Sequence, residues 1–461
     1  MSGLQTFEHG LTVVLIGFGL AYFFGGVLLG YRSWGRAKRA DELTDQSEIN
    51  YWVFFLIPAL DEANVIDDTV RRLTAHGPAT VVLVDDASTD NTAELARAAG
   101  GSSCLVLTRT VPDARQGKGA ALNAGLTVIR DEVRRRGLDP DRTLVCVMDA
   151  DGHLSDGALR RVGPLFDDPR VGGVQLPVRI RNRRRLIERL QDIEFWALSA
   201  LSQFARDAFG NVSLGGNGQF TRLSVLLALD SAPWSASLTE DLDLAVRMTL
   251  RGNRLVTTPM AWVDQQAITS WRRLLRQRTR WMQGHMSCAP YMWRLLRSPK
   301  VSNSAAIETV LYLSVPWALV LPWSILFHLT WAQTIVSIAR YGLPIHATGV
   351  LPVTLYCIYL YLVSFLPMVI AGLIYRRRDP TVGRIRSFLI GHLLIAGFYV
   401  AMIAAWRALF RILRGNAGWE KTLRQHEGEP VAVEQGPTTG LPVLTGTVTD
   451  SGSGHRPVHL E

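Results

Sequence analysis

Asp149 and Asp151 close the run Thr143–Gly152, which reads TLVCVMDADG. The apolar and small residues before them predict a strand buried on both faces. Its carboxyl end would lie at the rim of a sheet, where open α/β folds bind ligands. Alternate strand residues point the same way, so the two carboxylates are expected to converge. Left bare, such a pair repels; a divalent cation, Mg2+ or Mn2+, relieves the repulsion and can also hold phosphates. A solvated turn is the plainer reading of a DxD taken alone.

Further polar clusters follow a similar logic. Asp85–Thr92 reads DDASTDNT. Asx and Ser residues cap helices, but two consecutive carboxylates exceed what a cap needs, and one can accept an N–H from a nucleobase. Gln116–Asn123, QGKGAALN, puts Lys118 between glycines at a predicted helix start. Helix N-termini attract phosphate, although the spacing is not that of a P-loop. Leu214–Phe220, LGGNGQF, is a loop whose glycines let a bulky polar ligand lie close. Thr239-Glu240-Asp241 opens a predicted helix over Asp241–Leu250, where acidic residues also serve as dipole partners. Gln277-Arg278-Thr279-Arg280-Trp281 lies on a predicted basic helix from Ser270 to Leu296. There Arg280 can meet phosphate oxygens in fork geometry. Trp281 offers a flat face to a sugar ring, or anchors the helix at a membrane interface as Trp271 could.

The elements that must position these groups alternate. Strands are expected at Tyr51–Leu60, Thr80–Asp85, Cys104–Thr108 and Thr143–Asp149, separated by helices at Asp61–Leu73, Thr92–Ala99, Gln116–Arg136 and Asp156–Phe166. Strand–helix alternation implies an α/β domain with a mostly parallel sheet and right-handed crossovers. The four cysteines have no metal-ligand spacing and read as reduced packing residues.

Apolar spans flank this block. Leu11–Gly30 carries no charge and matches the roughly 20 residues needed to cross a bilayer. Arg32, Arg36, Lys38 and Arg39 follow it, which predicts a retained anchor with a cytoplasmic continuation. Three more spans are expected at Val310–Ile338, Val350–Tyr375 and Ser387–Trp406. One anchor and three spans would put the C-terminus outside, yet Arg407, Arg411, Arg414, Lys421 and Arg424 prefer the inside. A re-entrant or interfacial segment would reconcile the two, and Pro316 and Pro322 point to the first of the three spans. The net charge of +9 fits nucleic acid, a membrane surface or an anionic substrate. The basic run Arg179–Arg189, RIRNRRRLIER, lacks any nucleic-acid reader motif, so anionic headgroups are its expected partner rather than nucleic acid.

The motifs PALDEA (Pro58–Ala63), DDASTD (Asp85–Asp90), GKGAALN (Gly117–Asn123), DAD, TED and QRTRW, in this order, resemble those of the membrane-integrated family-two glycosyltransferases. These include cellulose, hyaluronan, chitin and poly-N-acetylglucosamine synthases. The resemblance covers Tyr51 to Trp281 and the flanking spans. It implies a glycosyltransferase-A fold and a nucleotide-sugar donor, commonly a UDP-sugar. It implies Asp61 and Asp86 beside base and ribose, Lys118 near the diphosphate, and Asp149 on the nucleotide. Asp151, with Asp149, would hold Mg2+ or Mn2+, and Asp241 would be the general base. Gln277, Arg280 and Trp281 would flank diphosphate and acceptor, and Glu240, Gly216, Asn217 and Gly218 would border the acceptor. The last three belong to GGNGQF, which departs from the FFCGS of cellulose synthases and more resembles glucosyl-diacylglycerol synthases.

The domain plan that follows has an anchor (1–31), a basic juxtamembrane linker (32–50) and a cytosolic catalytic domain (51–265). Interfacial helices with QRTRW (266–306), transmembrane helices (307–414) and a largely disordered tail (415–461) complete it. The expected protein is a multi-pass plasma-membrane enzyme, inverting and metal-dependent, that builds and exports a β-linked polysaccharide. A glycolipid synthase is the alternative. A non-enzymatic basic membrane or nucleic-acid binder leaves the ordered motifs unexplained.

Overall fold

The computed structural model describes residues 3–44, 49–343 and 349–416. A long helix, α1 (Gly3–Thr44), leads in. The α/β block then runs β1 (Trp52–Ala59), α2 (Ile66–Thr74), β2 (Ala79–Asp85), α3 (Thr92–Gly100), β3 (Cys104–Thr108), α4 (Lys118–Arg136) and β4 (Thr143–Val147). It continues through β5 (His153–Leu154), α5 (Ala158–Val162), β6 (Val171–Gln175), β7 (Val178–Ile180), α6 (Leu186–Ile193), a π-helical turn (Glu194–Ser199) and α7 (Ala200–Asp207). Next come β8 (Gln219–Arg222), α8 (Leu223–Leu229), α9 (Glu240–Leu250), β9 (Arg254–Thr257), β10 (Val263–Gln265), α10 (Trp271–Ser287) and α11 (Tyr291–Arg297).

Seven strands form one sheet in the order β3-β2-β1-β4-β8-β6-β9. Its β3-β2-β1-β4 half is parallel, and β8 runs antiparallel to both β4 and β6. The sheet is therefore mixed but mainly parallel. β5, β10 and β7 make a second, three-stranded sheet. Successive residues of β1 serve opposite faces, as a strand's period of two requires. Val53, Phe55 and Ile57 pack with Ile66, Val70 and Leu73 of α2, while Phe54 and Leu56 pack with Leu122, Leu126 and Ile129 of α4. All four residues from Phe54 to Ile57 are fully buried. Each such side chain contributes about 1.5–3 kcal/mol, which holds the carboxyl ends of β1, β2 and β4 in register beside one another.

The strand bearing the DxD ends earlier than expected. β4 stops at Val147, opposite Leu56. Met148 still donates to Leu56 O at 3.1 Å, but the next bond of a parallel ladder needs an N–H that Pro58 lacks. Asp149–Gly152 instead form a turn closed by Gly152 N–H to Asp149 O at 2.9 Å. The first predicted helix also begins late, at Ile66 rather than Asp61.

Apolar helices follow: α12 (Asn303–Ser314), a π-helical turn (Val315–Val320), α13 (Leu321–Tyr341), α14 (Val350–Arg378), α15 (Arg384–Leu393) and α16 (Ile395–Leu413). Among the described residues, four helical stretches are long and apolar enough to cross a membrane: Val14–Arg39, Asn303–Tyr341, Val350–Arg378 and Arg384–Leu413. The predicted linker differs from what is found, because α1 continues through its basic residues to Thr44. The tail from residue 417 lies outside the described residues.

The last stretch is tied down at both ends. Asp379, at the end of α14, accepts from Arg183 at 2.8 Å and from Arg179. At its far end Arg411 donates to Gln283 of α10 at 2.7 Å, and Val400 packs with Leu274 of the same helix. Both ends of 379–411 are thus bonded to the α/β block and its following helix α10.

The basic run Arg179–Arg189 meets partners within the protein. Arg179 and Arg183 are spent on Asp379 and on the fully buried Asp192, which also accepts from Tyr375. Arg181 donates to Asp151 O and Arg189 to Arg183 O. Of the run's arginines only Arg184 and Arg185 stand exposed. Two of its six arginines therefore tie the α/β block to the end of α14, and two more are bonded within the block.

Candidate functional site

One cavity of about 500 Å3 opens at the carboxyl ends of β1, β2 and β4. Its strand-end half is lined by Ala59, Glu62, Asp86, Lys118 and Asp149, and its middle by Glu240, Asp241 and Arg280. Its far half is lined by Phe195, Trp281, Met282 and His285, with Tyr312 of α12 and Ala401 of α16. The cavity thus runs from the sheet rim to the apolar helices.

Lys118 is the hub of the middle. As the first residue of α4 it follows Gly117, whose φ of +101 turns the chain into the helix. Its Nζ lies 2.8 Å from Asp149 Oδ1, 3.0 Å from Gly216 O and 3.9 Å from Glu240 Oε1. Burial alone would pull its pKa down, but the Asp149, Glu240 and Asp241 carboxylates overcome that and hold it above the ordinary lysine value. Across from it, burial raises the pKa of both Glu240 and Asp241, and their mutual repulsion adds to the rise at Glu240. Lys118 and Arg280 pull both back toward the charged form. Asp241 keeps one oxygen on the Leu242 N–H at 2.7 Å, in the first turn of α9 where the helix dipole favours negative charge. Gly284 of α10 sits so close to Thr239 that an added Cβ would come within 2.5 Å of its side chain. The TED turn and the QRTRW helix are therefore locked together.

The glycine-rich loop braces this centre. Gly216 has φ +67, and a Cβ there would stand 2.9 Å from Asp241 Oδ2 and 3.1 Å from Lys118 Nζ. Asn217 is buried; it accepts from Asp149 N–H at 3.2 Å and donates to Gln265 at 2.9 Å. Gly218 packs against Val263 and Leu176.

At the strand-end half, Asp86 accepts from the Arg109 guanidinium and from Arg115 N–H at 3.0 Å. Burial nonetheless leaves its pKa raised. Asp61, with φ +49, takes Thr89 N–H at 2.7 Å and Thr89 Oγ1 at 3.0 Å, so it shapes the DDASTD turn. On α10, Gln277 and Arg280 line the cavity beside Trp281, with Gln277 Oε1 accepting from Arg278 at 2.7 Å. Burial pushes the His285 pKa down to about 4, so that ring is neutral at physiological pH.

Asp149 and Asp151, expected to converge, stand in different surroundings. Asp149 is on the cavity wall, whereas Asp151 is fully buried and takes the Gln266 N–H at 3.0 Å. The reason is the early end of β4: past Val147 the strand's alternation no longer governs where side chains point. Sequence reasoning also passed over Glu62, Gln175, Glu194, Phe195, Arg278 and Tyr312, all cavity-lining or bonded to lining residues. Of these Glu62 and Arg278 carried a signal, as interior positions of PALDEA and QRTRW.

A family model described as "Glycosyltransferase like family 2" matches residues 51–284, half of the chain. The chain belongs to glycosyltransferase family 2. This enzyme is similar to a β-monoglucosyldiacylglycerol synthase of Nostoc sp., 28% identical over 270 residues, 57% of this chain and 55% of the relative. It is also similar to a poly-β-1,6-N-acetyl-D-glucosamine synthase of Staphylococcus aureus, 26% identical over 251 residues, 54% of this chain and 57% of the relative. The glycosyltransferase spans about half the length of the curated relatives it matches. Among solved structures, a mannosyltransferase from Pyrobaculum calidifontis in complex with GDP-Man and Mn2+ superposes with a TM-score of 0.50. The identity is 18%, covering 88% of this chain and 99% of that one. The likeness gives the catalytic block a glycosyltransferase-A-type fold.

Proposed function

We propose that this glycosyltransferase moves a sugar from a UDP-sugar to a hydroxyl that reaches the site from the membrane side, inverting the anomeric carbon. The observation that carries the reading is the single cavity joining Asp86, Lys118 and Asp149 to Asp241, and Asp241 to Trp281, Tyr312 and Ala401. The nucleotide would occupy the strand-end half, with Asp86 toward the base and Lys118 and Arg280 toward the diphosphate. Asp241 takes the proton of the acceptor hydroxyl; its raised pKa brings a carboxylate closer to the range in which a general base works. One base is enough for a single in-line displacement, so an α-linked donor yields a β-linked product.

The residues fit a divalent cation held in part by substrate. Mg2+ and Mn2+ need only one or two carboxylates when phosphates supply the rest, and Asp149 offers a carboxylate on the wall that already pairs with a cationic group. Among the described residues no group of three or more His, Cys, Asp or Glu could hold the ion without substrate. Such an ion would neutralise charge on the leaving diphosphate. The mannosyltransferase that superposes on this chain is in complex with GDP-Man and Mn2+, which supports the reading. The proposal shifts the metal role toward Asp149 and away from the buried Asp151.

The main reading of the product is a β-linked polysaccharide passed outward by a multi-pass plasma-membrane enzyme with its catalytic block in the cytoplasm. A glycolipid is the second reading, favoured by the GGNGQF loop and by the Nostoc relative. Detergent-purified protein given radiolabelled UDP-sugars and its own membrane extract separates the two. High-mass water-soluble counts mean polymer, chloroform-soluble counts mean glycolipid, and no UDP release from any UDP-sugar refutes the donor assignment.

A further inference from the structure

Arg278 occupies an interior position of QRTRW to which no role was assigned. It is 8% exposed and lines the cavity. Its guanidinium stands 4.2 Å from the centre of the Trp281 ring and 5.3 Å from that of Phe195. The two rings meet edge to face, 6.1 Å apart at 71°. One Arg278 nitrogen donates to Glu194 Oε2 at 2.8 Å and the other to Gln277 Oε1 at 2.7 Å.

Two features make this more than surface pairing. Arg278 and Trp281 are three residues apart on α10 and so share a face, and the planar cation covers one side of the indole. Glu194 and Phe195 are consecutive, yet both reach Arg278, and they open the π-helical turn Glu194–Ser199. Such turns inside α-helices occur mostly as local insertions and are frequent at functional sites. The same turn is held on its other side by Arg378 of α14, which stacks 3.6 Å from the Trp196 ring.

We propose that Arg278 and Glu194 are a positioning pair that fixes the Trp281 indole, leaving one face to receive the acceptor. The inference rests on the transferase reading. The acceptor class it fits is a hydroxyl carried on a body with an apolar face, a sugar ring or a glycerol backbone, set against the uncovered side of the ring. Arg278 is bonded away from the Lys118–Asp149–Asp241 centre, so it acts on the acceptor and not on the donor. An ammonium cannot reproduce both the planar stack and the fork, which makes Lys an incomplete replacement.

The test uses the full chain in detergent, with Arg278→Met, Arg278→Lys and Glu194→Gln, each paired with the same protein carrying Trp281→Phe. Acrylamide quenching, taken as the difference within each pair, isolates Trp281 from the other tryptophans. Transfer is measured to dioleoylglycerol and to an N-acetylglucosamine pentamer, and donor hydrolysis as UDP release from UDP-glucose and UDP-N-acetylglucosamine alone. Arg278→Met is expected to make Trp281 more quenchable and to raise the acceptor KM about tenfold, the scale of a small misplacement, while hydrolysis is retained. Glu194→Gln moves both readouts the same way but less, and Arg278→Lys recovers part of the loss. An unchanged Trp281 quenching difference overturns the proposal, as does a fall in hydrolysis parallel to transfer. Glu194 is half-exposed, so its variant carries the test if Arg278→Met does not fold. A parent that releases UDP from neither donor overturns the choice of these two donors, whereas the quenching comparison still decides the positioning.

Discussion

Gly216→Ala separates backbone strain from damage to the catalytic centre. Gly216 has φ +67, and so does the C-cap of α4, Gly137, within one degree at +66. An alanine in either place carries the left-handed penalty of about 1–2 kcal/mol. At Gly137 nothing lies within 4 Å of the added Cβ. At Gly216 the Cβ would lie 2.9 Å from Asp241 Oδ2 and 3.1 Å from Lys118 Nζ, with Asp241 Cγ at 3.7 Å. Each polar atom must yield by several tenths of an ångström, and both belong to the centre where base and diphosphate meet. Both variants should therefore lose about 1–2 kcal/mol of stability. Gly137→Ala should keep its specific activity, while Gly216→Ala should lose about 10²-fold in kcat, the cost of an ångström-scale misplacement. Thermal unfolding in detergent gives the first quantity, and UDP release per mole of folded protein gives the second. Equal activity in the two variants would refute the assignment of Asp241 and Lys118 to the reacting centre.

Asp241→Asn should lower transfer about 10²–10⁴-fold while nucleotide binding, followed by calorimetry with UDP, stays near that of the parent. The deprotonated base is the active form and burial raises its pKa. Turnover should therefore fall as pH drops through a limb lying above the ordinary aspartate value of about 3.9; a limb at or below that value would contradict the buried site. Asp149→Ala should abolish the rise in UDP affinity that Mn2+ produces, whereas Asp151→Ala should chiefly lower the melting temperature, because its carboxylate serves the Gln266 N–H. Normal Mn2+ dependence in Asp149→Ala would be decisive against this division. Arg206→Met should cost about 3–5 kcal/mol by leaving Glu308 without the guanidinium that stands 3.0 Å away, read as a melting shift and relieved in the double variant Arg206→Met/Glu308→Gln.

Much of the molecule was readable from residue order alone. Buried strands announce themselves by continuous apolar runs, so β1, β2 and β4 could be placed and Asp85, Asp86 and Asp149 set at their carboxyl ends. A helix start with glycines on both sides of a lysine identified Lys118, and uncharged spans identified the long apolar helices, because hydropathy and turn chemistry are local properties. The order of the motifs carried the family. What lay beyond reach depends on partners distant in the chain. The end of β4 is set by Pro58 on a neighbouring strand, so the separate fates of Asp149 and Asp151 could not be read from DAD itself. Arg179 and Arg183 look like a solvated charge run until Asp379, about 200 residues later, comes to meet them. Arg278 owes its place to Glu194 and Phe195, which an unforeseen π-helical turn turns toward it. Charge and periodicity specify what a segment can bury or bind; only the tertiary structure brings together the opposite charge, the ring or the missing N–H that decides which of those it does.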